Sequence, residues 1–165
     1  MEARATAQLE TPRIENYRAF LVGGLQQHFP NPPAGVPELW ERFKPWIGKV
    51  PGRTGHVAYG VASSISREGA CTYTAGVEVS DFSKLPREVA QVTVPASQYA
   101  VFSHLAHVSQ LADAIDQILT TWLPLSGLAR DGAPAGTPVF FERYGENFDP
   151  KEGKGDVEVW VPIKA

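Results

Sequence analysis

A single cysteine, Cys71, in a chain of 165 residues excludes an internal disulfide framework. The chain also has no dense basic run. Arg53, Arg67, Arg87 and Arg130 are scattered and the net charge is -3, so the basic face that a nucleic-acid partner requires is missing. No apolar run is long enough to span a bilayer. The opening residues, Met1-Glu-Ala-Arg-Ala-Thr-Ala7, lack the apolar stretch of a signal peptide. His28, His56, His104 and His107 are too far apart for metal-ligand spacing. Ser126 does not sit in a nucleophile-elbow sequence, and Gly145 and Gly153–Gly155 lack the strand–turn–helix setting of a phosphate loop. These absences lead us to expect a cytoplasmic protein with no metal, no cofactor, no direct nucleic-acid contact and no membrane partner.

What is present is a repeated order of elements. Beyond a frayed lead-in, Ile14–His28 reads as a long strand, with Gly23-Gly24 as a bend or bulge. Asn31-Pro-Pro-Ala-Gly-Val-Pro37 is turn chemistry, and Pro37 suits the first turn of a helix. Leu39, Trp40, Phe43 and Trp46 then form one apolar stripe on a helix reaching Ile47, with Pro45 kinking its end. Strands at His56–Ser64 and Cys71–Ser80 follow, joined through Ser66-Arg-Glu-Gly69. The order then recurs. Gln91–Val94 and Gln98–Ala106 are extended, with Pro95 between them. Ser109 caps a second amphipathic helix carrying Leu111, Ala114, Ile115, Ile118 and Leu119. Pro124 stops that helix after Trp122 and Leu123. Strands at Pro138–Tyr144 and Asp156–Ile163 complete the copy, around a turn region at Gly145–Gly155.

The expected fold class is α+β. It is a single domain over 1–165, a duplicated β-α-β-β module with pseudo-twofold symmetry. Repeat one spans about 14–80 and repeat two about 91–163. Antiparallel sheets carry both helices on one side and leave a central ligand cleft, since ligands settle in concave junctions. Strand alternation puts Phe140, Glu142 and Tyr144 on one face. One carboxylate between two rings suits a flat or cationic organic ligand.

With these residues the chain resembles GyrI-like small-molecule-binding domains, also the effector-binding domains of AraC-type and MerR-type multidrug regulators. The likeness rests on Trp122-Leu-Pro-Leu-Ser-Gly127, Phe141-Glu-Arg-Tyr144 and Val159-Trp-Val-Pro-Ile163, and covers about Ile14 to Ile163. It implies binding of lipophilic, often cationic, compounds with an acidic contact on the strand Pro138–Tyr144, which assigns that role to Glu142. Unlike in those regulators, no helix-turn-helix reader is expected within these residues, so direct transcription-factor activity is not expected unless another chain supplies the DNA-binding part.

The expected ligand-binding residues are therefore Glu142, Phe140, Tyr144, Trp160, Phe102, Trp40 and Glu78. Trp160 lies opposite the valines of its strand. Glu78 offers a second carboxylate, against a reading as a solvated edge residue. Trp40 and Phe102 are shared between cleft and core readings. Tyr73 packs under the first helix, and Cys71 is an inert buried thiol. The leading function is a stand-alone binding module that senses or sequesters lipophilic, preferably cationic, molecules. One alternative is a hydrolase that opens electrophilic rings of genotoxic compounds, with Glu142 as general base and Tyr144 assisting. Another is an inhibitor of a protein target such as DNA gyrase. A protein partner or a homodimer is left open.

Overall fold

The computed structural model describes residues 11–29, 35–63, 70–105, 107–126, 129–130, 138–149 and 151–164. The expected link Ser66–Gly69 lies outside them. In chain order the elements are β1 (Arg13–Tyr17), β2 (Phe20–Phe29), α1 (Val36–Phe43), β3 (Arg53–Ser63), β4 (Cys71–Val79), β5 (Ala90–Val94), β6 (Ser97–His104), α2 (Leu111–Gln117), α3 (Leu123–Ser126), β7 (Ala129–Arg130), β8 (Pro138–Tyr144) and β9 (Val157–Lys164). The strands form one antiparallel sheet in the order β1-β6-β9-β8-β3-β4-β2-β5, and β7 adds to β9.

This order forces the sheet to curl. In a flat sheet β1 and β2 would lie six spacings apart, about 29 Å. Only Arg18 and Ala19 join them, and three Cα steps reach about 11 Å. The register shows how the ends meet. Arg13↔Val101 through Tyr17↔Ser97 and Phe20↔Val94 through Gly24↔Ala90 are one interrupted ladder. The expected long strand is thus real, but its bend falls at Arg18-Ala19 rather than at Gly23-Gly24. Those glycines stay in the ladder, opposite Val77 and Gly76. A Cβ on Gly24 would stand 2.1 Å from the Ala75 carbonyl oxygen, so glycine permits close backbone approach there.

Outward from the β3–β8 pair the order reads alike in both directions: β4 answers β9, β2 answers β6, and β5 answers β1. The chain is a duplicated module with pseudo-twofold topology. Residue pairing places Gly60 directly opposite Glu142 at the centre of this arrangement.

Both helices lie on one face. Ala75, Gly60, Glu142, Val159 and Phe102 stand side by side across neighbouring strands, so their side chains share that face. On one half of it α1 packs Leu39 and Phe43 against Phe29, Tyr73, Ala75, Val77 and Val79. On the other half Leu111, Ile118 and Leu123 cover Phe102, Val157, Val159, Val161 and Ile163. The opposite, inward-curling face holds Phe20, Tyr59, Tyr99, Phe141 and Trp160, drawn from both repeats.

The helices differ from expectation at their ends. α1 begins after Gly35, whose φ of 101° is a left-handed conformation that suits glycine, and Pro37 sits in its first turn. Lys44–Trp46 tightens into a 3-10 turn, which accommodates Pro45. The second helix is entered through a 3-10 turn, Val108–Gln110, and the residue that caps this turn is His107, not Ser109: the His107 ring nitrogen Nδ1 accepts the Ser109 backbone N–H at 3.0 Å. Nor does Pro124 stop this helix. Ile118–Trp122 is a π-helical turn in which Leu123 N–H bonds back to the Ile118 carbonyl, and the helix continues through Pro124 to Ser126. The widened turn displaces the ladder at the place where proline has no N–H to give.

Candidate ligand-binding site

The middle of the helix-bearing face lies between the two helices. β3 contributes only Ala58, Gly60 and Ala62 there, while β8 contributes Phe140, Glu142 and Tyr144. Small residues on one strand leave space above the sheet for the large ones on the next. Glu142 is 7% exposed. Its Oε1 accepts two hydroxyl hydrogen bonds, from Tyr73 at 2.6 Å and from Tyr144 at 2.8 Å. Tyr73 in turn accepts the indole N–H of Trp40 on α1 at 3.0 Å. The Trp40 ring meets Tyr144 edge-on at 5.3 Å, and Tyr144 meets Phe148 at 5.2 Å.

The electrostatics follow from these contacts. Burial pushes the Glu142 carboxyl above its usual value, and the two phenol donors pull it partly back. Burial and the Glu142 charge hold both Tyr73 and Tyr144 well above the usual phenol value, so they remain protonated donors. Among the described residues no lysine, arginine or histidine pairs with Glu142; the ion pairs there involve Glu15, Glu41, Glu78 and Glu158. A buried carboxylate held only by neutral donors is an incompletely compensated charge.

Of the residues expected from sequence, Glu142, Phe140, Tyr144 and Trp40 come together around this point. Phe102 shares the face but lies two strands away, buried edge-on against Trp122 at 4.8 Å. Trp160 and Glu78 need correction. Because Val159 stands beside Glu142, alternation turns Trp160 to the other face. There it stacks on Phe141 at 5.4 Å and donates its N–H to Glu158. Glu78 also faces away and pairs with Arg18 at 3.0 Å. Tyr73 was expected as packing alone. It does lie under α1, yet its hydroxyl is the shorter of the two bonds to Glu142. The signal was present, since a tyrosine in an apolar alternation buries a hydroxyl that needs a partner. Cys71 is partly exposed, and burial together with the Glu142 charge pushes its thiol up.

The model of the GyrI-like small molecule binding domain family matches residues 10–164. The chain belongs to this family. It is 32% identical over 153 residues to the transcriptional regulator BrlR of Pseudomonas aeruginosa, covering 92% of the present chain and 54% of BrlR. The chain therefore spans about half the length of that relative. Among solved structures, SAV2435 bound to tetraphenylphosphonium superposes with a TM-score of 0.72 at 17% identity, covering 93% of this GyrI-like chain and 94% of the other. The C-terminal domain of EcmrR superposes with a TM-score of 0.66 at 15% identity, covering 96% and 99%. At such identities these two structures speak for the GyrI-like fold.

Proposed function

We propose that this GyrI-like domain binds lipophilic organic cations between α1 and the α2–α3 helix, with Glu142 as the counter-charge. The observation that carries this reading is a buried carboxylate with phenol donors and no cationic partner among the described residues. A cation entering this space neutralises the carboxylate and gains cation–π attraction to Tyr144 and Trp40, about 0.5–2 kcal/mol per well-placed ring. Phe140 and Phe102 supply apolar area alongside. Trp160 and Glu78 serve the opposite face. The tetraphenylphosphonium bound by SAV2435, which shares the fold, is a ligand of this class. The likeness to a transcriptional regulator over 54% of its length fits a sensing module working with a separate DNA-reading part.

Titration calorimetry with tetraphenylphosphonium and with neutral triphenylphosphine oxide tests the reading. Glu142→Gln keeps size but deletes charge. It is expected to weaken the cation about ten- to hundredfold, the worth of a charge-assisted contact of roughly 1.5–3 kcal/mol, and to leave the neutral compound nearly unchanged. Equal losses for both compounds would make Glu142 structural. Mass spectrometry after incubation with an epoxide or aziridine compound completes the test, because a ring-opened, hydrated product would move the reading to a hydrolase.

A further inference from the structure

The pseudo-twofold topology sets two residues against each other at its centre, Gly60 on β3 and Glu142 on β8. One repeat carries a carboxylate at this place and the other carries no side chain. The emptiness is occupied. A Cβ built on Gly60 would lie 2.0 Å from the Tyr73 hydroxyl and 2.6 Å from Glu142 Oε1. The backbone of Gly60 is ordinary extended strand, so turn geometry does not account for the glycine. What does account for it is that Tyr73, from the first repeat, crosses over Gly60 to reach the carboxylate of the second. The Trp40 indole on α1 holds Tyr73 in that position.

We propose that Gly60 is a positioning residue of the binding site, whose missing side chain lets Tyr73 fix and help ionise the Glu142 carboxylate. Gly60 and Tyr73 act through Glu142 and thereby join α1, β4 and β8 at one atom. Any side chain at position 60 meets both the Tyr73 hydroxyl and the Glu142 carboxylate and is expected to drive the two apart, although it leaves the Glu142 carboxyl group itself in the chain. The ligand consequence rests on the cation-binding reading above; the proposed link between Gly60, Tyr73 and Glu142 does not.

The experiment follows the Glu142 carboxyl directly, by carbon NMR of protein labelled at glutamate, with Glu142→Gln assigning the signal. Ligand-free wild type, Gly60→Ala, Tyr73→Phe and the double variant are titrated. The two single variants are expected to move the Glu142 midpoint to higher pH, because each removes a donor to the charged form. The double variant is expected to move it no further than the larger single change, since both substitutions break the same bond. Tyr73→Phe keeps the ring under α1, so it carries the test should Gly60→Ala fail to fold. An unmoved midpoint in Tyr73→Phe overturns the proposal, as does full additivity in the double variant. Tetraphenylphosphonium affinity at neutral pH is read in parallel, with about a tenfold loss expected in each single variant. Shifted midpoints in the variants, with a wild type that binds no tetraphenylphosphonium, sink the cation reading and leave the role of Gly60 standing. Wild type that binds, with variant midpoints unmoved, does the reverse.

Discussion

Glu142 carries a stability consequence of its own. Its carboxyl is raised in the folded state, with burial as the main cause. For such a group the favourable form is the protonated one. Its contribution is fully present below the ordinary glutamate value and is lost as pH rises through the raised folded value. Above that raised value the ligand-free protein holds an incompletely compensated buried charge. Glu142→Gln is expected to stabilise the ligand-free protein at neutral pH by about 1 kcal/mol, a few degrees in Tm, with the gain shrinking as the medium is made acid. Thermal denaturation of both proteins across a pH series measures this, and a gain that grows toward acid pH would contradict it. A substitution that stabilises the fold while weakening the ligand is what a functional site held at a cost produces.

Strands rather than helices set the geometry at the level of elements. The glycines in β2 illustrate how. Gly24 lies where β2 approaches β4 so closely that a methyl group meets backbone atoms, which no side-chain rotation relieves. Gly24→Ala is expected to cost about 3 kcal/mol. Gly48→Ala, in a turn with nothing within 4 Å of the added atom, is expected to stay within about 0.5 kcal/mol of wild type. Urea denaturation of the pair checks both, and comparable losses would mean that the β2–β4 approach is looser than described. The same strand shows what sequence leaves open: two glycines announce a break in an apolar run as readily as a close contact. Which one holds depends on the partner strand, and Gly76 sits far off in sequence. The helix ends were misread for a related reason. Ser109 has the chemistry of a cap and Pro124 that of a stop, but packing against Phe102 and the β9 valines favours continuing the helix through a widened turn. Local preference yields there to tertiary burial.

At the scale of the whole molecule the two repeats share their cores. Phe20, Val22, Tyr59 and Val61 from the first pack with Tyr99, Val101, Phe141 and Trp160 from the second on the inward-curling face. The two-residue joints Arg18-Ala19 and Pro95-Ala96 carry each long strand across to the other repeat's side. Neither repeat can bury its apolar face without its fellow. Unfolding is therefore expected as one transition, with tryptophan fluorescence and far-ultraviolet circular dichroism coinciding. Phe141→Ala, which removes a ring in contact with Phe20, Tyr59, Tyr99 and Trp160, is expected to lower stability by about 3–5 kcal/mol in that single step. Two separated transitions would show that the modules fold independently.

The α+β class, the order of elements and the face shared by Phe140, Glu142 and Tyr144 were legible in the sequence. Each rests on local periodicity, and strand alternation is a property of the backbone itself. The bounds of β8 were legible too, since a proline opens the strand and a glycine follows it. Register was not legible. Whether Trp160 stands beside Glu142 or behind it depends on which β9 residue pairs with position 142, and a slip of one residue reverses every face. The meeting of Tyr73, Trp40 and Glu142 over Gly60 likewise joins four elements, and only the lateral pairing of β4, β3 and β8 with α1 seated on β4 brings them to one point. The sequence determined which residues carry charge, rings and small size; the tertiary structure decided which of them meet, because pairing between strands is long-range and periodicity is not.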